Sequence, residues 1–207
     1  MGIPRRYSKW TLEGNYEPIV PLADIKEICY IDTDITDDDA MLTAMEVAAS
    51  NLCSSFIGYP LLNSSRTMYV DIDYVNQSCT QFVKQFTLKG ASEVLGIAIK
   101  KEDGSVVLYD PANVPDIYVV SESSEHIKTL RVIDTSIFNT PLYPLDSFQI
   151  VMRGGFGETA TTVPEELKLG IKLLVANWYE HREDQKVGQT ITSSAKALWS
   201  TYRLERV

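Results

Sequence analysis

With 207 residues, 44% hydrophobic and 23% charged, the chain is composed as an ordinary globular protein with room for one sizeable core or two small ones. Its formal net charge of −9 suits solubility and argues against a nucleic-acid binder that gains affinity by neutralising phosphates. Three scattered cysteines and two distant histidines, His126 and His181, exclude a disulfide scaffold and argue against a Cys/His zinc site, and neither a membrane-spanning run of roughly 20 apolar residues nor an apolar secretion signal is expected.

Residues 1–20 hold Pro4 and Pro18 with little periodicity and read as an extended arm, basic and aromatic at its start through Arg5, Arg6, Lys9 and Trp10. Pro21 suits a first helical turn, and Leu22, Ile25, Ile28 and Cys29 predict a short amphipathic helix ending near Tyr30. A second helix is expected after Ile35, capped by Thr36, with Asp37, Asp38 and Asp39 placing negative charge at its positive end. Its buried stripe reads as Leu42, Met45, Ala49, Leu52 and Phe56, with Gly58 as the stop. Cys29 and Cys53 fall at apolar helical positions, where a thiol behaves as a small hydrophobe.

Between Leu61 and Arg153 the period changes to two. Strands are predicted over 67–72, 82–88, 94–99, 106–109, 117–120, 130–133 and 148–152. Turns fall at Asn76-Gln77, Lys89-Gly90, Asp103-Gly104 and Pro111 to Pro115, and Asp103-Gly104 is the strongest hairpin signal. Gly154 to Gly157 then turn the chain towards a helix opened by Pro164. Leu167, Ile171, Leu174 and Trp178 line one face of it, widened by Val175 and Tyr179. Gly188 breaks that helix, and Ser193 or Ser194 caps a last one through Ala197, Leu198, Trp199, Tyr202 and Leu204. The expected fold class is α+β, a small helical bundle of N- and C-terminal helices (21–60 and 158–207) with an inserted antiparallel β module (61–157), preceded by the arm 1–20.

Several motifs invite a chemical reading. Cys29-Tyr30-Ile31-Asp32-Thr33-Asp34-Ile35-Thr36 resembles the nucleophile motif of haloacid-dehalogenase-like phosphatases, where one Asp attacks phosphorus and the other serves as acid and base just past a strand. Here the motif lies between two helical patterns, so a polar helix-to-helix loop is the better reading. Asp32, Asp34, Thr36 and Asp38 have the beat of a calcium loop, but Asp37 stands where Gly is needed and Thr43 where a bidentate Glu is needed. Gly154-Gly155-Phe156-Gly157 lacks the spacing and the lysine of a phosphate loop, and Ser54, Ser55, Ser64 and Ser65 have no nearby His. No catalytic residue, metal or cofactor is expected. Arg182, one turn after Trp178, can reach a carboxylate on another element or subunit or act as a buried anchor.

The segment 163–183, VPEELKLGIKLLVANWYEHRE, resembles the C-terminal signature of bacteriophage head-to-tail connector (adaptor, head completion) proteins: a Pro-opened helix, an aliphatic run, then Trp178-Tyr179-Glu180-x-Arg182-Glu183. The opening is similar too, in Pro21-Leu22-Ala23-Asp24-Ile25-Lys26, the Asp-rich loop 32–39, Ala48-Ala49 and Phe56 to Leu61, as is the closing Ala197-Leu198-x-x-x-Tyr202-Arg203. The resemblance implies a non-enzymatic structural protein of the virion neck, made in the host cytoplasm. It implies a homo-oligomeric ring, a dodecamer, that binds the portal protein, extends the DNA channel with at most non-specific contact with passing DNA, and receives a stopper or tail component. Portal contact is expected on the C-terminal tail at Trp199, Tyr202, Arg203, Leu204 and Arg206, with Trp178, Tyr179 and Arg182 in the bundle core or interface. The long arm and the large β region depart from the family's common pattern. Two other readings stand beside this one: a β-rich binding or decoration module carried by 61–153, and a phosphatase using Asp32 and Asp34.

Overall fold

The computed structural model of the chain describes residues 5–14, 16–70, 85–110, 118–124, 126–133, 142–143, 146–182 and 191–204. Cys79, Glu183, Arg206, the Gly188 break and the turns expected at Asn76-Gln77 and Pro111 to Pro115 lie outside them. The chain divides into two units, a β unit of residues 1–12 and 64–155 and a helical unit of 13–63 and 156–207, and the fold is α+β.

The β unit contains β1 (Arg5–Tyr7), β2 (Thr11–Leu12), β3 (Ser64–Val70), β4 (Gln85–Lys89), β5 (Glu93–Lys100), β6 (Val106–Tyr109), β7 (Tyr118–Ser124), β8 (Ile127–Val132) and β9 (Phe148–Gly154). One antiparallel sheet runs β1-β3-β9-β5-β6 with β2 also on β3, and a second runs β4-β8-β7. β9 shows why these segments are strands. Phe148, Ile150 and Met152 are buried while Gln149, Val151 and Arg153 between them are half-buried, so one face turns to a core. Met68, Val70, Ile97 and Ile99 from the first sheet share that core with Phe86, Leu88, Leu130 and Val132 from the second. The Phe86 and Phe148 rings, 5.4 Å apart, join the two sheets. The Asp103-Gly104 hairpin forms as expected, with Gly104 at φ 83 and the Asp103 carboxylate accepting from the Ser105 amide at 2.8 Å.

The arm differs from expectation, because its first part is strand. Arg5 to Tyr7 pair with Met68 to Val70, and Thr11 and Leu12 with Ser64 and Ser65. The Arg66 guanidinium explains the docking: it lies 4.4 Å from the Tyr7 ring centroid and 4.2 Å from that of Trp10, and donates to the Lys89 carbonyl at 2.7 Å. Burial lowers its pKa, though an arginine so placed stays charged. Trp10 in turn covers Gly154, where a Cβ would overlap both the indole and the Gly90 carbonyl. Arg66→Ala is therefore expected to cost about 1–2 kcal/mol and to speed amide exchange in residues 5–12 well before the rest of the sheet. Uniform protection in the variant would count against this docking.

The helical unit contains α1 (Leu22–Ile28), α2 (Asp39–Ile57), a 3-10 turn (Ala160–Thr162), α3 (Glu165–Glu180) and α4 (Ser193–Ser200). α3 buries Leu167, Ile171, Leu174, Val175 and Trp178, the stripe expected, together with Gly170. α2 departs in two ways. It starts at Asp39 rather than after Ile35, and no Thr36 side chain caps it; only the Thr36 carbonyl accepts the Asp39 amide at 3.2 Å. Its buried face is Leu42, Glu46, Ala49, Ser50, Cys53 and Ile57, while Met45, Leu52 and Phe56 are half-buried. By length and hydropathy α2 alone among the described helices could cross a membrane. Glu46 on its buried face and its packing against α1, α3 and α4 make it a core helix instead. α4 is capped by Thr192, whose hydroxyl accepts the Ala195 amide at 3.3 Å, rather than by Ser193 or Ser194.

Burial pushes the Cys53 thiol pKa far up, and burial followed by the nearby Glu180 raises that of the half-buried Cys29. Cys53 is expected to resist iodoacetamide at neutral pH until the protein is unfolded. Peptide mass spectrometry reads this directly, and rapid native labelling of Cys53 would contradict the packing.

Candidate functional site

The chemistry-bearing side chains of the helical unit gather around α2, whose 19 residues span roughly 28 Å at 1.5 Å per residue. At its C-terminal end Gly58 adopts the left-handed conformation, φ 95, that stops a helix without a Cβ clash. The chain's own C-terminal segment folds back onto this end. The Leu204 amide donates to the Ile57 carbonyl at 2.9 Å, and the Leu204 side chain lies over Gly58. Tyr59 donates from its hydroxyl to the Tyr202 carbonyl at 3.1 Å, and the Tyr202 hydroxyl donates to Glu166 at 3.0 Å. Glu166's own amide and then this hydroxyl hold its carboxyl below the usual range. The Tyr202 ring also meets Phe156 edge-on, centroids 6.0 Å apart.

The tail residues expected at a portal interface therefore have different fates. Trp199 is 0% exposed: its Nε1 donates to the Leu167 carbonyl at 3.2 Å, its indole occupies the space a Cβ on Gly170 would need, and Phe56 lies 6.0 Å away. It belongs to the core of the helical unit, not to an exposed tail, because α4 is pressed against α3 at a glycine. Tyr202 and Leu204 are half-buried and hold the segment down, and Arg203 is exposed with its guanidinium 5.0 Å from the Phe56 ring.

At the N-terminal end, Asp38 takes the N-cap position of α2. Its carboxylate accepts from the Tyr179 hydroxyl at 2.6 Å and from Arg182 at 3.3 Å, and the Arg182 guanidinium lies 4.9 Å from the Tyr179 ring. The hydrogen bond to Asp38 is the chief reason the Tyr179 pKa is raised. Of the three residues expected in the core or interface, Trp178 is buried, Tyr179 is half-buried and Arg182 is exposed at this clasp. Lys26, 4% exposed, donates to the carbonyls of Thr33 and Ile35 at 3.3 and 2.7 Å and pairs with Asp39 at 2.6 Å. Asp32 and Asp34 are exposed on this helix-to-helix loop, not at the end of a strand where an Asp nucleophile would be presented.

Glu46, midway along α2, went unseen in the sequence. Its carboxylate accepts from the Ile19 and Val20 amides at 2.9 and 3.3 Å, from the Ser50 hydroxyl at 2.8 Å and from the Tyr16 hydroxyl at 2.9 Å. Burial and then Glu46 itself push the Tyr16 pKa up, keeping that phenol a donor. The signal available in the sequence was phase: Glu46 continues the series Leu42, Ala49, Cys53 at helical spacing. The glycine-rich turn binds its own chain, the Phe156 amide donating to the Leu61 carbonyl at 3.1 Å and the Gly157 carbonyl accepting from Asn63 at 2.8 Å. Among the described residues no group of three or more His, Cys, Asp or Glu is placed to hold a metal ion.

No protein-family model and no curated protein matches the chain. Solved structures do. The chain is similar to one from the neck of an empty GTA particle computed with C6 symmetry, at 15% identity, 97% coverage of both chains and a TM-score of 0.67. It is similar to one from the virion of a native gene transfer agent particle, at 16% identity, 91% coverage of both and a TM-score of 0.64. A third, from the neck of a native GTA particle computed with C12 symmetry, has 15% identity, 97% coverage of both and a TM-score of 0.64. At these identities the likeness is one of fold, and it extends over both units. It agrees with the sequence's resemblance to phage head-to-tail connectors.

Proposed function

We propose that the chain is a structural protein of a virion neck, a head-to-tail connector (adaptor) that closes into a ring, binds the portal, extends the DNA channel and receives the next neck or tail component. The observation that carries this reading is fold likeness along 97% of both chains to a particle-neck chain, reached independently of the connector-like residues at 163–183. The C6 and C12 symmetries of the similar necks support a ring, with a dodecamer as its natural copy number. Such a ring needs two different, mutually complementary faces on each subunit. The work is geometric rather than catalytic, and the acid excess suits a channel wall to which passing DNA must not adhere.

Within the C-terminal segment the proposal assigns portal contact to Arg203 and, beyond the described residues, Arg206, while Tyr202 and Leu204 position the segment. Co-sedimentation with the portal ring of the same particle, with native mass spectrometry of the complex, is the test. Equal copies of the two chains are the expected result. No complex across a range of salt would overturn the reading in favour of a β-rich binding module. The double variant Arg203→Ala/Arg206→Ala is expected to weaken portal binding by about tenfold or more with an unchanged thermal midpoint.

A further inference from the structure

The loop between α1 and α2 displays two large apolar side chains to solvent: Tyr30 is 95% exposed and Ile35 is 48% exposed. Tyr30 also adopts φ 57, a left-handed conformation that bulky side chains rarely take. The loop that carries them is held firmly. Beneath it the Lys26 ammonium binds the Thr33 and Ile35 carbonyls, the Ile31 amide donates to the Lys26 carbonyl at 2.9 Å, and the Ile35 amide donates to that of Asp32 at 3.1 Å. A loop fixed in this way presents its aromatic and its aliphatic group to a pocket with little further loss of backbone freedom.

We propose that Tyr30 and Ile35 form a docking knob for the neck component on the side away from the portal, a protein face with an apolar pocket rimmed by Lys and Arg. The rim follows from charge, since Asp32, Asp34 and Asp37 stand exposed in the same loop as the two apolar groups. The side follows from α2. The knob precedes its N-terminal end, while the segment bearing Arg203 is bonded to its C-terminal end through Leu204 and Ile57, the two ends lying roughly 28 Å apart along the helix. This last step rests on the portal reading of the tail and takes α2 to run along the ring axis.

The test uses the full chain, the portal ring and the tail-side neck protein of the same particle, each purified, in pairwise and three-way binding. Tyr30→Gly/Ile35→Ser is expected to weaken tail-side binding by about tenfold or more while portal binding, ring formation and the thermal midpoint stay as in the parent. Glycine accepts φ 57, so the loop survives the change. Asp32→Asn/Asp34→Asn/Asp37→Asn is expected to flatten the salt dependence of the same interaction. Unchanged tail-side affinity in the double variant overturns the proposal, as does absence of tail-side binding by the parent chain with or without portal. Loss of portal binding or of ring formation instead assigns the knob to the portal or to a second copy and equally overturns it. If the parent chain fails to bind portal, it is the reading of the tail that falls; a tail-side loss in the double variant then still supports the knob.

Discussion

Trp199→Ala is expected to destabilise the isolated protein by about 3–5 kcal/mol, with no partner present. The indole is wholly buried, it fills the space above Gly170, it packs near Phe56, and its Nε1 satisfies the Leu167 carbonyl. Truncation removes that apolar surface, leaves a void between α3 and α4, and strips a carbonyl of its donor. Denaturant unfolding followed by helical signal is the measurement. An interface anchor behaves differently: its loss would leave the isolated chain's stability alone and weaken only portal binding. The two roles therefore separate in a single experiment, and a variant within about 1 kcal/mol of the parent would return Trp199 to the interface. Deleting residues 198–207 to probe portal attachment would be uninformative, since it removes this core residue together with the tail.

Glu46→Ala should cost a comparable amount, about 3–5 kcal/mol. The carboxylate is the common acceptor for the Ile19 and Val20 amides, the Ser50 hydroxyl and the Tyr16 hydroxyl, so its removal strands several buried donors at once. Glu46→Gln keeps one carbonyl oxygen in place and should lose roughly half as much. Limited proteolysis gives a second readout. Residues 16–20 owe their attachment to α2 to this side chain, and Glu17 continues the same segment by accepting the Ala160 amide at 3.1 Å. Cleavage there should appear in the Ala variant before any other site opens. Equal protease resistance in parent and variant would mean that the apolar burial of Ile19 and Val20 holds the segment by itself.

The α3 stripe and the strands from β3 to β9 were legible because each pattern is local: a helix repeats every 3.6 residues and a half-buried strand every two, wherever its partner lies. The same logic hid β1 and β2. Strands of three and two residues are too short to show a period, and what makes them strands is β3, more than fifty residues further along, with Arg66 between two aromatic rings. The stripe on α2 was misphased because a reading by apolarity passes over Glu46, although four donors make that carboxylate acceptable inside. Asp38 rather than Thr36 sits at the start of α2 while Tyr179 and Arg182 bind its carboxylate, and both belong to α3 or the residues just past it.

The amino-acid sequence by itself determined the α+β class, the order of the helices and the main strands, the Asp103-Gly104 hairpin and the buried face of α3, since these follow from patterns that neighbouring residues carry among themselves. Only the tertiary structure decided which aromatic is core and which is surface. Trp199 and Tyr30 are both large rings beside helix ends, and one is 0% and the other 95% exposed. The difference lies in Gly170, a residue without a side chain that lets α4 approach α3 and close over the indole, whereas no described element closes over the loop that carries Tyr30. For these two rings burial depends on what arrives from elsewhere in the chain, which their local sequence does not encode.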